Sequence, residues 1–239
     1  MLKTIPLFNL LLAFLPAFFT IVILYKWSLG SKRALYAIFR MLVQLLTIGY
    51  CLTYIFNSDT PAFVLIILSI MILSSSWIAL DSLKHKKLKL YKETLISIAI
   101  GGGFALVIVT QFVLTIQPWY KAQTMIPLAG MIFANCMNSI SLASERFFAE
   151  RERNIPYLES RNLAFKASLI PVTNSLFAVG LVSIPGMMTG QILSGISPLI
   201  ATRYQIVVMC MVFGSAGVST AIFLTLCKGK FPVTKNVCD

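Results

Sequence analysis

Arg40 and Gln44 stand four residues apart in the apolar run RMLVQLLTIGY and so share one face of a helix. A guanidinium about 9 Å into a membrane, by helical rise from Ala34, has two readings. It snorkels to the headgroups, or it faces inward and pairs with a carboxylate or an anionic ligand. Asn135, Asn138 and Ser139 form a second polar stripe, at i, i+3 and i+4, and Asn174 is placed to join it. Carboxamides within lipid either bond another helix or line a substrate path. A third set is soft: Met125, Met131, Met137, Met187, Met188, Met209 and Met211, with Cys136 and Cys210. Thioether and thiolate sulfur suits Cu(I)-like metals, although methionine is also ordinary packing material.

The missing groups narrow the chemistry further. Asp59, Asp81, Glu93 and Glu145 fall at the edges of apolar segments, and the one histidine, His85, sits in the basic run KHKKLKLYK. A proton relay through buried acids is disfavoured, and a zinc site of histidines is excluded. No GxxxxGK[ST] occurs, so the chain has no P-loop of its own. Without paired acids, histidine clusters or a Ser/His pair in the apolar segments, an intramembrane enzyme is disfavoured too.

These residues need elements to hold them, and composition says which. Of 239 residues 58% are hydrophobic and 12% charged, with mean hydropathy +0.85. Soluble domains carry about 25% charged residues, so a water-soluble enzyme is ruled out and a polytopic, all-α membrane protein is indicated. Apolar stretches over 5–25, 34–56, 61–80, 94–116, 124–144, 168–184 and 205–226 predict about seven spans. The first reads as an anchor, lacking a cleavage site. Between the last two, Pro185, Gly186, Gly190, Gly195 and Pro198 predict a broken, partly re-entrant or interfacial stretch to about residue 200. The net charge of +12 follows the same topology. With the N-terminus outside and the C-terminus inside, all Lys and Arg except Lys3, Arg40, Lys121 and Arg203 fall on the inner side, as the positive-inside rule requires. Nucleic acid is not needed to explain the charge.

The five cysteines imply no disulfide framework. No internal repeat is evident, and 1–239 reads as a single membrane domain. Gly101-Gly102-Gly103 permits close helix approach or local unwinding, with packing the default. The basic run at 84–92 reads as a topogenic patch against anionic lipid. The longest polar segment, 145–167, reads as a cytosolic loop. In it Arg146 and Glu150 form an exposed i,i+4 pair, Pro156 ends one helix, and 157–166 forms a short second one.

PLAGMIFANCMNSISLASERF (127–147), SLIPVTNSLFAVGLVSIPGMMTGQILSGISPLIATRYQI (168–206) and RMLVQLLTIGY (40–50) together resemble signature blocks of the FetB family of ABC-type permeases. That family includes bacterial iron exporters and plant relatives linked to aluminium tolerance and nucleotide-sugar transport. The resemblance implies a non-enzymatic permease subunit in a bacterial inner (plasma) membrane, with ATP and Mg held by a separate cytosolic ATP-binding subunit and two permease chains per transporter. It points to iron or a related transition metal as cargo. A nucleotide-sugar cargo, or a scaffold that transports nothing, is the alternative. Two departures stand out: the segment between the ERF and SLIP blocks is short, and Ala134 replaces a usual glycine.

The substrate-path candidates are Arg40, Gln44, Asn135, Asn138, Asn174, Met187, Met188 and Gln191. Those carried over for coupling to the ATPase are Glu145, Arg146 and Phe147, with Tyr157 and Arg161 standing in for the abbreviated docking element. A carboxylate-free cavity suits weak, labile metal binding, yet Arg40 favours an anion; the residues leave both cargoes open.

Overall fold

The protein was analysed as a computed structural model that describes residues 6–55, 60–83 and 86–228. Lys3, Asp59 and His85, named above, lie outside these residues, as do Lys84, Lys230, Lys235, Cys238 and the side chain of Cys51. Apart from one isolated bridge between Val179 and Ser183, the described secondary structure is helical. Its contacts divide it into two compact units, Met1–Ser58 and Asp59–Asp239.

The first unit is a helical hairpin. Helices α1 (Leu7–Leu12) and α2 (Leu15–Lys26) form one apolar run, interrupted at Ala13–Phe14 because Pro16 has no N–H to continue the ladder. Ser28 (φ 55°) and Gly30 (φ 78°) adopt the left-handed backbone that reverses the chain into α3 (Ser31–Ile55). Arg40 and Gln44 lie on one exposed face of α3.

The second unit is a bundle. It contains α4 (Pro61–Ala79), α5 (Lys87–Val113), α6 (Ala122–Glu152), α7 (Tyr157–Ala178), the short α8 (Gly186–Leu193) and α9 (Pro198–Leu226). Its spine is α6, which packs against α4, α7 and α9. Ala129, Ile132, Cys136, Ile140, Ala143 and Phe147 recur at three- and four-residue intervals along α6 and are all buried. Helix α5 contains two π-type segments, Ile98–Gly102 and Ile108–Val113. The glycine triplet begins within the first. A Cβ on Gly101 would lie 2.7 Å from the Ser219 backbone, and one on Gly102 would lie 3.0 Å from the Phe133 ring. Of the two readings of the triplet, close approach of α5 to α9 is realised, while the chain there stays helical with a π-type turn rather than unwinding.

Among the described residues five helices are long and apolar enough to cross a membrane: Phe8–Lys26, Pro61–Ala79, Lys87–Val113, Ala122–Glu152 and Pro198–Leu226. Two predicted spans are not among them. The predicted span 34–56 falls on α3 (Ser31–Ile55), and its last residue and the side chains of 51–55 lie outside the described residues. The predicted span 168–184 is the C-terminal half of α7, whose first turns carry Glu159, Arg161 and Lys166 and which stops at Ala178.

The reading of 145–167 as a loop needs correction. Its first part continues α6 to Glu152 and its second opens α7, so only 153–156 connect the two helices. The short helix predicted at 157–166 does not end, because nothing between Tyr157 and Ala178 but Pro171 interrupts the ladder, and α7 runs through it. Helix α9 begins at Pro198, seven residues before the predicted 205. Proline fits the first turn of a helix, where an N–H has no partner to lose.

Candidate functional site

Two places in the bundle gather the chemistry-bearing residues, one at each end of α9. The first is the α6–α7 hairpin. Phe147 is 1% exposed, and its ring meets Tyr157 edge-on at 6.0 Å and Phe148 at 5.3 Å. The Tyr157 hydroxyl donates to the Leu224 carbonyl near the end of α9 (3.0 Å). Burial pushes the Tyr157 phenol pKa up, with the Arg161 guanidinium pulling it back. Arg146, half exposed, ion-pairs with Glu150, which is only 2% exposed. This pair is therefore not the solvated one expected from sequence, because the α6 turn that carries Glu150 packs inward. Arg151 donates to the Ile155 carbonyl (2.9 Å) and closes the 153–156 turn. Arg161 donates to its neighbour Asn162.

The same end gathers the basic segments. Lys86 pairs with Glu152 at 2.9 Å and lies 4.5 Å over the Phe148 ring. Lys87 pairs with Asp81 at 3.3 Å and lies 4.1 Å over Trp77. Two lysines of the presumed lipid patch are thus engaged within the bundle, leaving Lys89 and Lys92 exposed. The connection after α4, the α6–α7 hairpin and the end of α9 lie together, as the charge pattern requires of segments on one side of a membrane. Glu145, Leu158 and Glu159 form the outer surface of the hairpin, with Leu158 62% exposed. Phe147 and Tyr157 are positioned to stiffen the hairpin, whereas Glu145 is free to meet a partner.

The second place is a cleft of about 480 Å³ where the end of α7, the 179–185 turn, α8 and the first half of α9 meet. Gly180 (φ 85°) makes that turn, and its N–H donates to the Ser183 carbonyl at 3.0 Å. The walls are mainly apolar, with Met188, Gln205, Met209 and Cys210 as their heteroatom-bearing side chains together with Thr202. Gln205 is 6% exposed, and its Oε1 has no hydrogen-bond partner among the described residues. The Oε1 of Gln191, one helical turn from Met188, is likewise buried without a partner. Met187 is exposed beside it.

The other candidates are dispersed. Asn135 donates to the Met131 carbonyl of its own helix at 2.8 Å, while Asn138 and Asn174 are exposed. Among the described residues no three His, Cys, Asp or Glu side chains gather to hold a metal. Three residues escaped the sequence reading. Gln205 lay at the edge of a predicted span, and only its unpaired amide marks it. Glu150 was taken as solvated. Glu93, taken as an edge residue, is 7% exposed; its spacing with Leu90, Thr94, Ser97 and Gly101 on one helical face was the available signal.

An all-helical bundle with several membrane-length apolar helices and its basic connections gathered at one end defines a multi-pass membrane protein. The chain belongs to the family described as "Uncharacterised protein family (UPF0014)", whose profile matches residues 7–231. It is 37% identical to the UPF0014 membrane protein slr1647 of Synechocystis sp., covering 80% of this chain and 79% of that protein. It is 32% identical to the Probable iron export permease protein FetB of Escherichia coli (strain K12), over 93% and 91%. It is 28% identical to Protein ALUMINUM SENSITIVE 3 of Arabidopsis thaliana, over 88% and 82%. No solved structure matches. The resemblance drawn from the three signature blocks is borne out along nearly the whole chain.

Proposed function

We propose that the chain is the membrane permease subunit of an ABC-type exporter in a bacterial cell membrane, moving iron or a related transition-metal ion. The observation that carries this reading is the stiff α6–α7 hairpin tied to α9 at the basic end of the bundle, in a chain similar over 93% of its length to a protein named as an iron export permease. In this reading the chain spans the membrane seven times, N-terminus out and C-terminus in. Two chains pair, and each hairpin rests on a separate ATP-binding subunit.

The exposed Asn138 supports the pairing, since a carboxamide on an outer helical face is costly against lipid and is relieved by a second chain or a polar path. A push on Glu145 and Leu158 reaches α9 through the Phe147–Tyr157 packing and the Tyr157–Leu224 hydrogen bond. Helix α9 then carries the displacement about 28 Å by helical rise, from Leu224 to the cleft at Gln205. Arg40, exposed on α3, favours the second cargo reading, a nucleotide-sugar whose pyrophosphate it would meet.

Purification of the tagged chain from its native host, followed by ATPase assays in lipid with ferrous iron and UDP-sugars in turn, tests both. A co-purifying ATPase accelerated by iron supports metal export, and acceleration by UDP-sugars moves the cargo to the second reading. Absence of any ATPase overturns the permease reading in favour of a scaffold.

A further inference from the structure

We propose that the cleft between α8 and α9 is a binding site for a soft, low-charge transition-metal cation of the Cu(I) type, held by Met188, Met209 and Cys210 sulfur and the Gln205 carbonyl oxygen. The inference deepens the metal-export reading and rests on it for the cation's being cargo. The donor set comes from four positions on two helices that the fold brings to one cavity. Met188 lies on the short α8. Gln205 and Met209 are four residues apart on one face of α9, with Cys210 beside them.

Gln205 provides the independent sign of a ligand. Its Oε1 is buried against an apolar wall with no donor, an arrangement that costs about 1–3 kcal/mol unless something fills it. A bound cation supplies the missing partner.

Charge and softness choose the cation. Among the described residues no His, Asp or Glu lines the cleft. Hard dications such as Mg or Ca need several anionic or neutral oxygens, and one carbonyl does not suffice. Thioethers and a thiolate favour Cu(I) over those ions. On binding, the Cys210 S–H bond breaks and an S–Cu bond forms. The proton leaves to water through the open side of the cleft, no electron changes hands, and the thiolate neutralises the single positive charge. The mainly apolar wall then encloses a neutral complex rather than a bare ion.

The test uses the full chain alone in lipid nanodiscs, with Cu(I) as probe and bicinchoninate as coloured competitor, under anaerobic conditions. One Cu(I) per chain is expected to resist the competitor. Affinity should fall at least tenfold in M188L/M209L and in C210S, and stay unchanged in the control M131L/M137L. Leucine keeps methionine's bulk; if the double variant does not elute as folded protein, M188L and M209L are read singly. X-ray absorption should show sulfur in the first shell. Affinity unchanged in M188L/M209L, or a first shell of nitrogen and oxygen only, overturns the site. The ATPase assay is separate: loss of co-purification with retained Cu(I) affinity overturns the permease reading alone. Iron-driven ATPase with no specific Cu(I) affinity overturns this site alone.

Discussion

The two ends of α9 are built on opposite plans. At the hairpin end the inward-facing side chains have partners: Phe147 is enclosed by aromatic rings, Glu150 is paired, and Tyr157 ties α7 to α9. At the cleft end, α8 has no buried residue and its glycines have open space around them. Gln191 and Gln205 there keep unpartnered carbonyls. Packed, satisfied structure transmits force, because interiors at crystal-like density deform little. Loosely packed structure with unmet polar groups is where a cargo gains binding energy.

The contrast is sharpened most by Phe147→Ala. Deleting a fully enclosed ring should cost about 3–5 kcal/mol, seen as a large loss of chain surviving heating before gel filtration. Gly101→Ala comes next, at about 1–3 kcal/mol, since its Cβ would meet the Ser219 backbone rather than a yielding side chain. Gly190→Ala in α8 should do the opposite and stabilise by about 0.5–1 kcal/mol, because nothing lies near its Cβ and alanine favours helix. Equal losses for the two alanines would erase the contrast.

Tyr157→Phe removes one hydrogen bond and should cost about 1 kcal/mol. It should also lower the iron response of the ATPase more than heat resistance, if that bond is the link from hairpin to α9. Smallest of all, Leu158→Ala should leave stability within about 0.5 kcal/mol while weakening retention of the ATPase. Full retention would remove Leu158 from the docking surface.

Much of the bundle was legible in the sequence. The apolar runs at 61–80, 94–116, 124–144 and 205–226 each became a membrane-length helix, since twenty apolar residues have few other options. The Pro and Gly positions from 185 to 198 anticipated the break between α7 and α9. Composition was a poorer guide where polar residues lie inside a helix. The charged segment 145–167 read as a connection holding two short helices split at Pro156, whereas both belong to the long flanking helices. Arg146 and Glu150 are good helix formers at ion-pair spacing, so α6 simply continues.

The site was less legible for a different reason. Met188 and Gln191 were named from the PGMMTGQIL block, but Gln205 and Met209 join Met188 only through the turn at Gly180. No local pattern encodes that meeting. Phe147, named for coupling, faces inward, and a signature block marks a region without saying which side chains of the helix point outward.

The central claim is that this chain moves a metal ion when a separate ATPase works on it. Inside-out vesicles carrying the chain and its co-purified ATPase should accumulate radioactive ferrous iron when ATP is added. They should fail to do so with a non-hydrolysable analogue or without the chain. Iron uptake that is equal with and without ATP, or independent of the chain, would contradict the account.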